Sequence, residues 1–270
     1  MMKIKSVYKP ASLEDAYQEL LKSSKHVLMA GGAWLRLSNR TVEKAIDLGC
    51  LDLAFINDTA EAVEIGSMTT LKAVEDSEIV SGLYDGILPA AVSQIVGIGL
   101  RNVVTIGGNV VARHGFSDII TPLLAMNAQL KFYDKGLLSL HEYLETRGKT
   151  TDILEKIIIA KVPSRGYFKK VRKTALDFAV INVAVTKTEA GFNISVGSRP
   201  SVGMLCETAM ALLNKASNID ENLVDKAAKC AADSLKFSDN HRGSGDYRRT
   251  LTEVYVKRGL LQLLDLEEKA

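Results

Sequence analysis

Residues 101–118, RNVVTIGGNVVARHGFSD, decide the reading of this chain. An apolar, β-prone run, RNVVTI, ends on the pair Gly107-Gly108, with Asn109 and Asp118 trailing behind. A glycine pair closing such a run predicts a tight turn, because only hydrogen fits beside the backbone there. Turns of this kind let consecutive N–H groups converge on one anion. A second pair, Gly31-Gly32 in MAGGAWLR, closes the run HVLMA in the same manner, and 75 residues separate Gly32 from Gly107. Together the two turns predict a diphosphate held from both sides.

Outward from these motifs the chain alternates strands and helices. KPASLEDAYQELLKSS predicts a helix with Ser12 as N-cap and an apolar stripe through Leu13, Ala16, Tyr17, Leu20 and Leu21. KHVLMAGG and EKAIDLG read as strands flanking the first glycine turn, and EAVEIGSM as a strand by alternation. TTLKAVEDSEIV and ILPAAVSQIV read as helices, the second ending near Gly97; ITPLLAMNAQLKFYD and LEKIIIAKVP continue the alternation. INVAVTKT and FNISVGS, separated by EAG, predict a hairpin. DYRRTLTEVYVKRGLLQLLDLEE predicts a long closing helix with Leu251, Val254, Leu260, Leu261 and Leu264 as core candidates. The fold class is α+β, with a division near residue 165.

Composition narrows the function. The chain has 270 residues, 47% hydrophobic and 24% charged, with net charge +2 from 34 basic and 32 acidic residues. That is the balance of a globular protein with ample core. No basic stripe marks a nucleic-acid partner. No run approaches the roughly 20 apolar residues of a membrane span, and MMKIKSVYKPASLEDA is not expected to be a signal peptide. Cys50, Cys206 and Cys230 are far apart and no CxxC occurs, so neither a zinc nor an iron–sulfur site is expected, and a reducing cytoplasm fits best. Gly97-x-Gly99-x-x-Asn102 follows a helix and precedes an expected strand, which is the wrong context for a dinucleotide fingerprint.

Single residues carry two readings each. Asp118 is either the N-cap of the apolar helix after it or a ligand contact. Lys169 and Lys170 are either solvated or directed at a phosphate or a cofactor ring. Trp34, the only tryptophan, is either core or the cover of a bound ring, and Phe178 shares that ambiguity.

YKPASLEDAYQEL, LMAGGAWL, EIGSMTTL, IGLRNVVTIGGNVV, SDIITPLLAMNAQL, FKKVRKTALDFAV and DYRRTL, in this order and spacing, resemble the FAD-binding medium subunit of the molybdenum hydroxylases. This is the family of xanthine dehydrogenase, carbon monoxide dehydrogenase and aldehyde oxidoreductase. The resemblance spans nearly the whole chain. It implies a two-lobed FAD-binding domain of the vanillyl-alcohol-oxidase/PCMH type over residues 1–165, with lobes of about 1–55 and 56–165. A small α/β C-terminal domain over 166–270 follows. It further implies FAD contacts from Met29, Ala30, Gly31, Gly32, Ala33, Trp34, Leu35 and Arg36 in the first motif. From the second motif it implies Thr105, Ile106, Gly107, Gly108 and Asn109. Asp118 would meet the nucleotide part, Lys169 and the apolar Ile95 and Ile157 would add contacts, and Phe178 would meet the isoalloxazine.

No residue is expected to be catalytic, and no metal ligand is expected. The implied partners are a small subunit with two [2Fe–2S] clusters and a molybdopterin large subunit, with NAD, a quinone or oxygen as acceptor. Ala33-Trp34 departs from the small hydroxyl and polar residues usual after the first glycine pair, which removes two side-chain contacts to FAD. Two alternatives stay open: a self-sufficient vanillyl-alcohol-oxidase-type flavoenzyme, and a flavin-free scaffold subunit.

Overall fold

The computed structural model describes residues 2–146 and 151–266. Its first layer is a parallel sheet of β1 (Lys3–Tyr8), β3 (Thr41–Asp47) and β2 (His26–Met29), with β3 in the middle. β1 is not anticipated by its pattern, since most of KIKSVY is exposed and little apolar alternation marks it. Helix α1 (Leu13–Leu21) crosses between β1 and β2, and Ser12 caps it by accepting from Asp15 N, as its sequence predicts. Ala16 and Leu20 on its inner face meet Ile46 and Leu48 in a small core.

The second layer is a five-stranded antiparallel sheet, ordered β4 (Ile56–Asp58), β5 (Ala62–Gly66), β8 (Leu154–Ala160), β6 (Gln129–Phe132) and β7 (Gly136–Ser139). Between β5 and β6 the chain forms short helices α2 (Leu71–Asp76), α3 (Glu78–Ser81), α4 (Ile87–Ser93), α5 (Ile98–Arg101), α6 (Ile106–Ala112) and α7 (Ile120–Ala125). The turn of helix α8 (Leu140–Glu145) follows β7. Their apolar faces share one core with the sheet, including Ile65, Leu71, Leu88, Ile106, Leu123, Leu130 and Ile157, all fully buried. Each such side chain contributes roughly 1.5–3 kcal/mol on burial.

The last layer is the antiparallel sheet β12 (Met204–Leu205), β11 (Gly191–Gly197), β10 (Ile181–Thr188) and β9 (Ser164–Val171). Helices α9 (Glu207–Asn214), α10 (Glu221–Ser234) and α11 (Gly245–Leu264) cover one face. The β10–β11 hairpin turns at Gly191, with φ +120°, as expected. Strand alternation divides its residues. Ile181, Val183 and Val185 enter the helical core. Asn182, Thr186 and Ser195 turn to α7: Thr121 Oγ1 donates to Asn182, Thr186 Oγ1 to Ala125 O and Ser195 Oγ to Thr121 O. Hydrogen bonds to helix carbonyls thereby join the C-terminal sheet to the preceding layer.

Several sequence expectations are corrected. TTLKAVEDSEIV is two helices, because Ser77 leaves helical geometry and caps α3. The helix expected to end near Gly97 stops at Ser93. RNVVTI is not a strand: Gly97 leads into α5, and Thr105 caps α6 through a hydrogen bond from Gly108 N to its side chain. Local capping chemistry overrides the β-propensity of the valines. In α11, Leu260 and Leu261 are buried as expected, but Val256 and Leu263 complete the buried stripe, with Leu251 and Leu264 at its margin.

Candidate functional site

β2 ends at Met29, and the chain leaves the sheet through Ala30, Gly31, Gly32, Ala33 and Trp34 before one 3-10 turn, Leu35–Leu37. Gly32 holds φ +65°, the left-handed region that favours glycine. Gly31 is required by space: a Cβ there would lie 1.7 Å from Val103 O. The loop closes by bonds from Arg36 N to Gly32 O and from Leu37 N to Trp34 O. The amides of Gly31, Gly32, Ala33 and Trp34 donate to no other described residue. They form a run of free donors beside a left-handed glycine, the geometry that binds anions.

The second glycine pair differs from its expected role. Gly107 and Gly108 lie in the first turn of α6, not in a strand-to-turn nest. Its leading amides are already engaged: Ile106 N on Thr69 O, Gly107 N on Ser67 O, Gly108 N on Thr105 Oγ1 and Asn109 N on Thr105 O. The glycines serve close approach instead. A Cβ on Gly107 would stand 2.5 Å from Ser67 Cβ; one on Gly108 would stand 2.8 Å from Thr105 Oγ1 and 3.9 Å from Ala30 Cβ. That last distance, with the Gly31–Val103 contact, brings the two motifs into one cradle.

Polar atoms around the cradle lack partners. Ser38 Oγ, Ser67 Oγ and His114 Nε2 are buried without a hydrogen bond. Each such group costs about 1–3 kcal/mol when left unmade. Free loop amides, orphaned hydroxyls and glycines whose Cβ would fill the cradle fit a phosphate-bearing cofactor with polar edges.

Beside the cradle runs a ladder of rings. The Trp34 indole meets His114 edge-on at 4.9 Å and Phe116 at 5.4 Å; His114 stacks on Phe116 at 4.8 Å with planes 7° apart; Phe116 meets Phe178 at 4.4 Å. Trp34 is 41% exposed, so it covers this ladder and is not core. Burial lowers the His114 pKa from its ordinary value and favours the neutral ring.

Asp118 caps nothing. Ile119 precedes α7 without a side-chain cap. Asp118 instead accepts from Lys170 Nζ at 2.7 Å and from Asn182 Nδ2 at 3.0 Å, with both charged side chains buried. Burial pushes its carboxyl above the ordinary value, while Lys170 pulls the other way. Lys170 also donates to Gln94 O, as does Arg172. Lys169, the lysine expected at the site, lies on the opposite face of β9, its ammonium 5.7 Å from the Tyr255 ring centre. Strand alternation sends Lys170 inward and Lys169 outward.

Ile157 is fully enclosed in the central core. Ile95 is half-buried at the margin of the same core, and its carbonyl holds Arg101. Met29, Ala30, Ala33 and Leu35 are half-buried along the loop, and Arg36 is exposed. Asn109 accepts from Ser117 Oγ at 2.6 Å, tying α6 to the Asp118 segment. Sequence reasoning missed Ser67, His114, Phe116 and Asn182. Only Lys170 had a usable signal, the period-two pattern of FKKV.

Comparison with known proteins places the chain in a family. Residues 2–164 match the family "FAD binding domain in molybdopterin dehydrogenase", and residues 166–263 match "CO dehydrogenase flavoprotein C-terminal domain". The chain belongs to the molybdopterin dehydrogenase FAD-binding family, and its cofactor is FAD. It is 28% identical to the Escherichia coli (strain K12) protein YgfM over 94% of each chain. It is 27% identical to the nicotine 6-hydroxylase medium subunit of Paenarthrobacter nicotinovorans, over 94% of this chain and 95% of that one. The fold matches a solved structure of the Cu,Mo-CO dehydrogenase with TM-score 0.88 at 22% identity, covering 97% of this chain and 98% of that one.

Proposed function

We propose that this protein is the FAD-carrying electron-transfer subunit of a molybdenum hydroxylase. It takes electrons from [2Fe–2S] clusters of a small partner subunit, fed by a molybdopterin large subunit, and passes them to NAD or another acceptor. The observation that carries the reading is the free amide run Gly31–Trp34 in a loop packed against the segment of the second glycine pair. These amides would hold the diphosphate, with Thr105–Asn109 as the opposite wall. Ser67 and Ser38 would supply hydrogen bonds, and Phe178 and Trp34 would flank the ring.

Bound FAD supplies the redox chemistry, accepting and releasing one or two electrons. The chain's own task is to bind, orient and shield it. Similarity to medium subunits of nicotine 6-hydroxylase and glyceraldehyde dehydrogenase, and to a xanthine dehydrogenase FAD-binding subunit, supports an assembly with partner chains. A xanthine-type substrate for the complex is one form of this proposal. Three unpaired cysteines support a reducing, cytoplasmic setting. Among the described residues no helix is long and apolar enough to cross a membrane.

The test is the visible spectrum of the purified chain, followed by release and identification of its cofactor and co-purification of its neighbours. A flavin spectrum, FAD on release and reduction of that FAD through an iron–sulfur partner are expected. A colourless protein that takes up no added FAD would overturn the proposal and leave the scaffold reading.

A further inference from the structure

Beyond the glycine cradle, a cavity of about 240 Å³ opens where the segment after α6 meets the C-terminal sheet. Phe116, Ala179 and Pro200 give it apolar walls, and Ser198, Asn240 and Arg242 give it a polar side. The polar side is rich in unused donors. Ser198 Oγ accepts from Asn182 Nδ2, but its own hydrogen has no acceptor among the described residues. Asn240 Oδ1 accepts from Arg242 N and Arg248 Nη2, leaving its amide hydrogens without a described acceptor.

Arg242 is anchored rather than loose. Its Nε bonds Asp177 at 3.2 Å and its guanidinium lies 5.0 Å from the centre of the Phe178 ring, while Nη1 and Nη2 meet no described acceptor. Ser198 sits at φ +59°, a left-handed position a serine rarely holds, of the kind that collects at binding sites.

We propose that this cavity binds a small aromatic carboxylate, separately from FAD. Hydroxyl, amide and guanidinium donors gathered on one side match the acceptor-only oxygens of a carboxylate. Phe116, with Ala179 and Pro200, gives the apolar wall that an aromatic body needs. The volume of about 240 Å³ suits a single ring. The cavity reaches the ring ladder at Phe116. The proposal stands on the cavity's own lining and does not require the electron-transfer role.

The experiment is calorimetric titration of the full-length, FAD-loaded protein with benzoate and nicotinate, with neutral benzamide as comparison. Saturable binding of the acids at or below about 1 mM is expected, with benzamide at least tenfold weaker. Arg242→Gln should weaken the acids by about tenfold or more. Asn240→Asp keeps the acceptor used by Arg248 and Arg242 but adds a like charge, and should weaken them comparably while the fold persists.

No saturation by about 10 mM would overturn the proposal, as would equal binding by benzamide or unchanged binding in Asn240→Asp. The flavin spectrum of each variant separates the two sites. Loss of FAD in Asn240→Asp, or competition between free FAD and benzoate for the apoprotein, would make the cavity part of the cofactor's own site and overturn the proposal.

Discussion

Lys170 on β9 and Asp118 before α7 meet at 2.7 Å with their side chains 1% and 5% exposed. The pair joins the C-terminal sheet to the segment that leaves the second glycine motif. Asn182 extends the link, bonding Asp118 Oδ1, Ser117 O and Ser198 Oγ, while Ser117 Oγ reaches Asn109. A continuous set of hydrogen bonds therefore runs from the second glycine motif into β10.

Removing one partner leaves the other buried and uncompensated. Lys170→Met is expected to destabilise the protein by about 3–5 kcal/mol, and the double change with Asp118→Leu to recover a large part of that loss. Urea unfolding of the two variants measures the difference. Equal losses in both would mean that packing, not charge, holds this junction.

Gly31→Ala places a Cβ on Val103 O and must push the two motifs apart. The strain should cost about 1–3 kcal/mol and lower FAD retention, read as flavin absorbance per protein. Gly99→Ala is the control, since nothing stands within 4 Å of its added Cβ. Gly108→Val would confuse binding with folding, because its side chain also strikes the Thr105 cap.

The single tryptophan reports on the site. Trp34 is half-exposed against His114 and Phe116, so adding FAD to apoprotein should quench its fluorescence in step with the appearance of bound flavin. Unchanged emission at full loading would place the ring away from Trp34.

Acid stability should depend on Glu19. Hydrogen bonds from Lys22 and Lys44 hold its carboxyl down from 4.5 to about 2 in the folded protein. A depressed folded value means its stabilisation is complete above about pH 4.5 and lost as pH falls toward about 2. Glu19→Gln should flatten this limb of the thermal-stability profile. An unchanged slope between those values would assign acid lability to other carboxylates.

Local signals in the chain were legible where one short-range interaction decides the outcome. Ser12 caps α1, the EAG stretch turns the β10–β11 hairpin, and Gly31 and Gly107 stand where the backbone leaves no room for a Cβ. The pattern failed where two local preferences compete. Val103 and Val104 favour a strand, but the hydroxyl of Thr105 satisfies Gly108 N and starts a helix. For Lys169 and Lys170 the period-two pattern places the two on opposite faces, and which of them turns inward is set by the packing of β9.

By itself the sequence determined the family, the cofactor and the places where the backbone must carry no Cβ, because these depend on residue types at fixed spacing. Only the tertiary structure decided that the amides of the second pair are engaged by Ser67, Thr69 and Thr105. It alone turned Asp118 to Lys170 and built the ring ladder from Trp34, His114, Phe116 and Phe178. Those contacts join residues far apart in the chain, and their partners are chosen by how three sheets pack, which no local pattern encodes.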